Sequence, residues 1–68
     1  MSERLKHHRG EKGWSQEELA ERACIHRTYL AGIEAAHRNP SLRSVVKLAN
    51  ALRVPVAALF TPLDAEQR

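Results

Sequence analysis

Ser15-Gln16-Glu17-Glu18-Leu19-Ala20-Glu21-Arg22-Ala23, then Cys24-Ile25-His26, then Arg27-Thr28-Tyr29-Leu30-Ala31-Gly32-Ile33-Glu34-Ala35 is the stretch that decides the fold. Ser15 and Glu18 have the S-x-x-E spacing of a capping box, in which each side chain bonds the other residue's orphan amide. Trp14 just before the cap and Leu19 four positions beyond it are placed as a hydrophobic staple. The helix that follows has Leu19, Ala20 and Ala23 on its apolar side. Only Cys24, Ile25 and His26 separate it from a second helix, predicted over about 27–35, whose inward residues are Leu30 and Ile33. A three-residue turn sets two helices at a steep angle, and Ala20 is small where they approach.

Working outward, a first helix is predicted from Ser2 to Lys12 and stopped by Gly13, which tolerates positive φ. The loop Ala36-His37-Arg38-Asn39-Pro40 follows the third helix. Leu42, Val45, Val46, Ala49 and Leu52 recur at i, i+3, i+4, i+7 and i+10, a broad stripe on a fourth helix that Ser41 or Asn39 can cap. Pro55 suits the first turn of a short fifth helix carrying Val56, Leu59 and Phe60, ended by Thr61-Pro62. Strand-type alternation is missing and aromatics are 4%. The expectation is all-α: one compact five-helix domain over 1–62 and a polar tail over 63–68.

The chain has 68 residues, 43% apolar, with a formal charge of +3. That length excludes a two-domain enzyme with a deep cleft, because so small a domain buries only about 60% of its unfolded surface. Cys24 is the single cysteine and cannot form an internal disulfide or a zinc site. Four His residues and Cys24-Ile25-His26 lack a second spaced ligand pair, so no metal and no cofactor is expected. No Gly-rich phosphate loop, nucleophile elbow or H-E-x-x-H occurs, and Glu17 and Glu18 point apart on their helix; no enzyme is expected. With no membrane span and no signal-peptide run, the expected location is cytoplasmic.

The charge is informative once divided along the chain. Residues 1–24 balance five Lys and Arg against five Glu, and residues 61–68 carry −1. Residues 25–60 hold Arg27, Arg38, Arg43, Lys47 and Arg53 against Glu34 alone, a net +4. A cationic stretch centred on a steep helix pair suits a polyanion. Such a pair lays one helix across the DNA backbone and presents the N-terminal end of the next to the major groove. His26, Arg27, Thr28, Ala31 and Gly32 would face the groove, with Tyr29 at its margin.

Gly13-Trp14-Ser15-Gln16-Glu17-Glu18-Leu19-Ala20, His26-Arg27-Thr28-Tyr29-Leu30, Ile33-Glu34, Arg38-Asn39-Pro40-Ser41-Leu42 and Lys47-Leu48-Ala49-Asn50-Ala51-Leu52 together resemble the phage-repressor-like (XRE) helix-turn-helix transcription regulators. The resemblance covers about residues 4–60. His26-Arg27-Thr28-Tyr29 with Arg38-Asn39 is most similar to the small controller proteins of restriction-modification systems. The resemblance implies that Arg27, Thr28 and Tyr29 reach the bases, and that Gln16 contacts phosphate and braces the recognition helix. It implies further that Arg38, Asn39, Ser41 and Arg43 grip the backbone, with Arg9 and Glu34 forming a structural salt bridge. His26, at the helix cap, is a candidate phosphate contact.

Three positions depart from the family pattern. Cys24 and Ala36 stand where Gly is usual; this should reshape the turn at Cys24 and let the third helix run on past Ala36. His8 lies on the inward side of the first helix, where the family has an apolar residue. Ala31 and Gly32 are small where relatives often place a polar reader, which leaves base recognition resting on Arg27. A module with so few readers should bind double-stranded DNA as a homodimer on a palindrome, through Leu52, Val54, Val56, Leu59 and Phe60, with no small-molecule effector. The alternatives are an antitoxin-type repressor or a protein-interaction module that retains the fold.

Overall fold

The computed structural model describes residues 1–60, and five helices follow one another there: α1 (Ser2–Lys12), α2 (Gln16–Ala23), α3 (Arg27–Glu34), α4 (Leu42–Leu52) and α5 (Val56–Phe60). The Thr61-Pro62 stop and the 63–68 tail lie outside the described residues. Each boundary has a local cause. Gly13 takes a left-handed conformation (φ 72°) and closes α1 by donating its N–H to the Gly10 carbonyl. Ser15 Oγ accepts from the Glu18 amide at 3.1 Å, so half of the capping box forms. The other half does not: the Glu18 carboxylate instead takes Arg22 Nε, one turn on, at 2.6 Å. Ser41 caps α4 in the same way as Ser15 caps α2, accepting from the Ser44 amide. Pro55 precedes α5, and its carbonyl receives the Ala58 amide.

The α2–α3 turn keeps its shape without glycine. Cys24 itself is left-handed (φ 60°, ψ 45°), and the amides of Cys24 and Ile25 bond back to Glu21 and Ala20. Ala36 is left-handed as well (φ 63°) and ends α3 at Glu34, so α3 does not run on. Arg53 (φ 59°) closes α4 likewise. An L-residue in this region costs about 1 kcal/mol. The cost is accepted because the closing hydrogen bonds satisfy helix-end carbonyls that would otherwise lack partners.

Leu5, Leu19, Leu30, Ile33, Leu48, Leu52 and Leu59 are almost wholly buried, and every helix contributes to one core. Ala20 and Ala23 are buried on α2, which packs against α3 and α4. The stripe on α4 is rotated from the expected one. Leu42 is 70% exposed and Val46 39%, whereas Ser44 and Leu48 are buried beside Val45, Ala49 and Leu52. Both stripes obey helical spacing and share three residues; contact with α2 and α5 selects between them. Leu52 and Leu59, expected on a dimer surface, are 1% and 0% exposed and belong to the core. Val54 and Val56 are half-buried, and Phe60 is 52% exposed.

His8 is the core's weak point. Its side chain is only 15% exposed, and Nε2 is buried without a hydrogen-bond partner among the described residues. Nδ1 lies 3.7 Å from Glu11 Oε1. Burial lowers its pKa, with the Arg4 and His7 charges adding to the shift and Glu11 opposing it. The folded state therefore holds the proton less well than the unfolded chain. Stability is complete above the ordinary histidine value and falls as pH drops through it toward the depressed folded value. Urea unfolding from pH 8 to pH 5 should show this loss, and His8→Leu should raise stability and flatten the slope. An unchanged slope in His8→Leu would assign the dependence to another group.

Candidate nucleic-acid interface

Glu34 is the only carboxylate in residues 25–60, yet it is 3% exposed at the end of α3. A buried carboxylate needs full compensation, since its desolvation costs several kcal/mol. Arg9 from α1 supplies a bidentate pair, Nε to Oε2 at 2.8 Å and Nη2 to Oε1 at 3.0 Å. Gln16 at the start of α2 adds Nε2 to Oε1 at 3.0 Å. Because a carboxylate only accepts, this contact fixes which way the Gln16 amide points. Arg9 Nη1 also donates to the Trp14 carbonyl at 2.8 Å, so one guanidinium ties α1 to the α1–α2 connection and to α3. The indole is covered in turn by Arg22, whose Cζ lies 4.4 Å from the ring centroid.

The consequence is positional. Gln16 and Arg27, eleven residues apart, line one shallow recess of about 480 Å³ with Arg9, Ser15 and Glu17. This recess lies at the N-terminus of α2, where unpaired amides and the helix dipole favour an anion. His26, Arg27 and Thr28 are exposed at the start of α3. His26 makes no side-chain capping bond. Arg27 and Arg43 form no ion pair among the described residues.

Tyr29 has a second role that its position in the sequence did not reveal. It is half-buried, and its hydroxyl accepts from the Ser41 amide at 3.1 Å, joining α3 to the cap of α4. Hydrogen bonding from the Ser44 hydroxyl, then from the Ser41 amide, lowers the phenol's pKa. Ser41 Oγ also donates to Ser44 Oγ at 3.0 Å, so both its amide and its hydroxyl are engaged in this network. Residues 29 and 41 show no shared periodicity, and no local signal could have paired them. Arg38 extends over Tyr29, with Cζ 5.9 Å from the ring centroid, while Arg38, Asn39 and Arg43 remain exposed. Among the described residues no group of three or more His, Cys, Asp or Glu could hold a metal, and no helix is long and apolar enough to cross a membrane.

Two helices joined by a three-residue turn, the second with a free cationic N-terminus and flanked by exposed arginines, define a helix-turn-helix DNA-binding module. The helix-turn-helix family model matches residues 5–59, and the chain belongs to that family of XRE-type DNA-binding transcription regulators. It is 38% identical to the control protein C.SmaI of Serratia marcescens over 61 residues, 90% of this chain and 73% of that protein. Other relatives are longer, and the chain spans 48% and 59% of two of them. Among solved structures it resembles the restriction-modification controller C.AhdI of Aeromonas hydrophila. That match has a TM-score of 0.84 and 42% identity, covering 87% of this chain and 89% of that one. It also resembles SinR, the master regulator for biofilm formation, solved in complex with DNA. There the TM-score is 0.83 and the identity 40%, covering 87% of this chain and 98% of that one.

Removing Arg9 strands a buried anion. Arg9→Met should therefore cost about 3–5 kcal/mol in urea unfolding. Glu34→Gln should cost less, because the neutral side chain can still accept from Arg9, which at 20% side-chain exposure also reaches solvent. The reverse ranking would mean that the Glu34 charge is not what holds the three helices together.

Proposed function

We propose that this protein binds a palindromic operator as a homodimer, with α3 of each copy in the major groove, and acts as the controller of a restriction-modification system. The exposed N-terminus of α3, held beside Gln16 by the buried Glu34, carries this reading. Arg27 is the principal base reader, its planar fork matching guanine O6 and N7, with Thr28 beside it and Tyr29 at the margin. Gln16 spends one amide hydrogen on Glu34 and keeps a second for a phosphate. His26, Arg38, Asn39 and Arg43 position the duplex by its backbone, whereas Ser41, expected among them, has its amide and hydroxyl donors engaged within the protein. Similarity to two controller proteins over most of their length supports the controller assignment.

The homodimer surface is now narrower. With Leu52 and Leu59 in the core, the apolar residues left near α5 are Val54, Val56 and the exposed Phe60. Joining two copies there would set two recognition helices about 34 Å apart, one turn of the duplex. Sedimentation at micromolar concentration should show a dimer; monomer alone, with protection of a single half-site, would overturn this arrangement.

Base reading and backbone gripping separate on a duplex selected from a random pool by the protein itself. Arg27→Ala should cost about 1–3 kcal/mol per half-site and relax the preference at one base position. Arg43→Ala should weaken selected and random duplexes alike and lower the slope of log affinity against log salt by about 1. The opposite pattern would exchange the two roles. Affinity that does not fall with salt would favour a protein-interaction module.

A further inference from the structure

The gap left by Ala31 and Gly32 on the recognition helix is covered from outside it. Left-handed Ala36 turns the chain back, and the Gly32 carbonyl receives the amides of both His37 (2.8 Å) and Arg38 (3.2 Å). The Arg38 side chain then runs directly over Gly32. A Cβ at position 32 would stand 3.0 Å from Arg38 Cδ, 3.1 Å from Cγ and 3.5 Å from Nε. Beyond that point the guanidinium reaches the Tyr29 ring, itself anchored by the Ser41 amide. Thr28 and Gly32 are one helical turn apart on the same face of α3, so Arg38 lies on the surface that continues from Thr28.

We infer that Gly32 is a positioning residue: its bare Cα is the seat on which Arg38 is laid across α3, giving the recognition helix a preset cation for a DNA phosphate. This rests on the DNA-binding reading above. A glycine inside a helix is ordinarily unfavourable, so its presence calls for a gain elsewhere. Here the gain is that the Arg38 stem already packs on α3 in the free protein, so less of its side-chain freedom remains to be lost on binding. The same residue explains how a helix without polar readers at positions 31 and 32 keeps charge along its length.

The test crosses Gly32→Ala and Gly32→Leu with Arg38→Ala and measures affinity for the selected duplex at several salt concentrations. With Arg38 present, Gly32→Leu should weaken binding about tenfold, the scale of one charge-assisted hydrogen bond, and Gly32→Ala less. The salt slope should fall by about 1 as the phosphate contact is lost. With Arg38→Ala, the loss caused by either change at position 32 should be smaller than with Arg38 present, and the salt slope should no longer respond to it. The thermal midpoint of Gly32→Ala should not drop, because the Arg38 stem is exposed and need shift by only a few tenths of an ångström, while alanine favours the helix over glycine. Equal losses in both backgrounds would mean that the Gly32 backbone itself meets DNA, and would overturn the inference. So would Arg38→Ala binding as tightly as the parent.

The seat is checked without DNA by a nuclear Overhauser contact between Gly32 Hα and Arg38 Hδ in the free protein, and its absence overturns the inference. If the contact is present but the parent shows no salt-dependent binding to DNA, the DNA-binding reading fails, and the role of Gly32 in it fails with it.

Discussion

The burial of one charge, the Glu34 carboxylate, constrains the rest of the molecule. Left alone in the interior it would be prohibitively costly, so every group that compensates it must be held in place. Arg9 and Gln16 come from different helices, and Arg9 also binds the Trp14 carbonyl. Satisfying Glu34 therefore fixes α1, the start of α2 and the end of α3 relative to one another. A buried ion pair of this kind contributes little net stability compared with an apolar replacement. What it supplies is a single geometry, and in this fold that geometry decides where Gln16 and Arg27 sit beside each other.

A second set of contacts links α3 to α4. Tyr29 reaches the Ser41 amide, Ser41 and Ser44 share hydroxyl and amide bonds, and Arg38 lies over both Gly32 and Tyr29. α3 is thus braced at one end through Glu34 and along its side through Tyr29. Residues that face DNA in the proposed complex are held by residues that do not, and Tyr29 belongs partly to each group. Its phenol oxygen accepts from the cap of α4, which fixes the ring at the margin of the proposed DNA face.

Much of this was legible from local pattern. Caps at Ser15 and Ser41, the stop at Gly13, the three-residue turn and five helix positions all depend on interactions within about four residues, and such interactions leave a trace in spacing. Where two phases of one pattern coexisted, spacing was mute. The α4 stripe could run through Leu42 and Val46 or through Ser44 and Leu48, and only the position of α2 and α5 chooses. The same limit misplaced Leu52 and Leu59, which look like surplus apolar surface on isolated helices until α5 folds back. The left-handed residues misled in another way: Cys24 and Ala36 adopt the conformation of the glycines they replace, because the surrounding hydrogen bonds outweigh a strain of about 1 kcal/mol.

By itself, then, the sequence determined the helices, their order, the three-residue turn between α2 and α3 and the concentration of cations in residues 25–60. These follow from short-range chemistry and from counting. Beyond the Arg9–Glu34 pair that the resemblance implies, tertiary structure alone decided which apolar residues are core, that Gln16 joins Arg9 on Glu34, that Tyr29 ties α3 to α4 and that Arg38 rests on Gly32. Each of these joins residues whose separation in sequence carries no period. Their proximity is set by how five helices fill one small interior, a condition that only the packed whole can express.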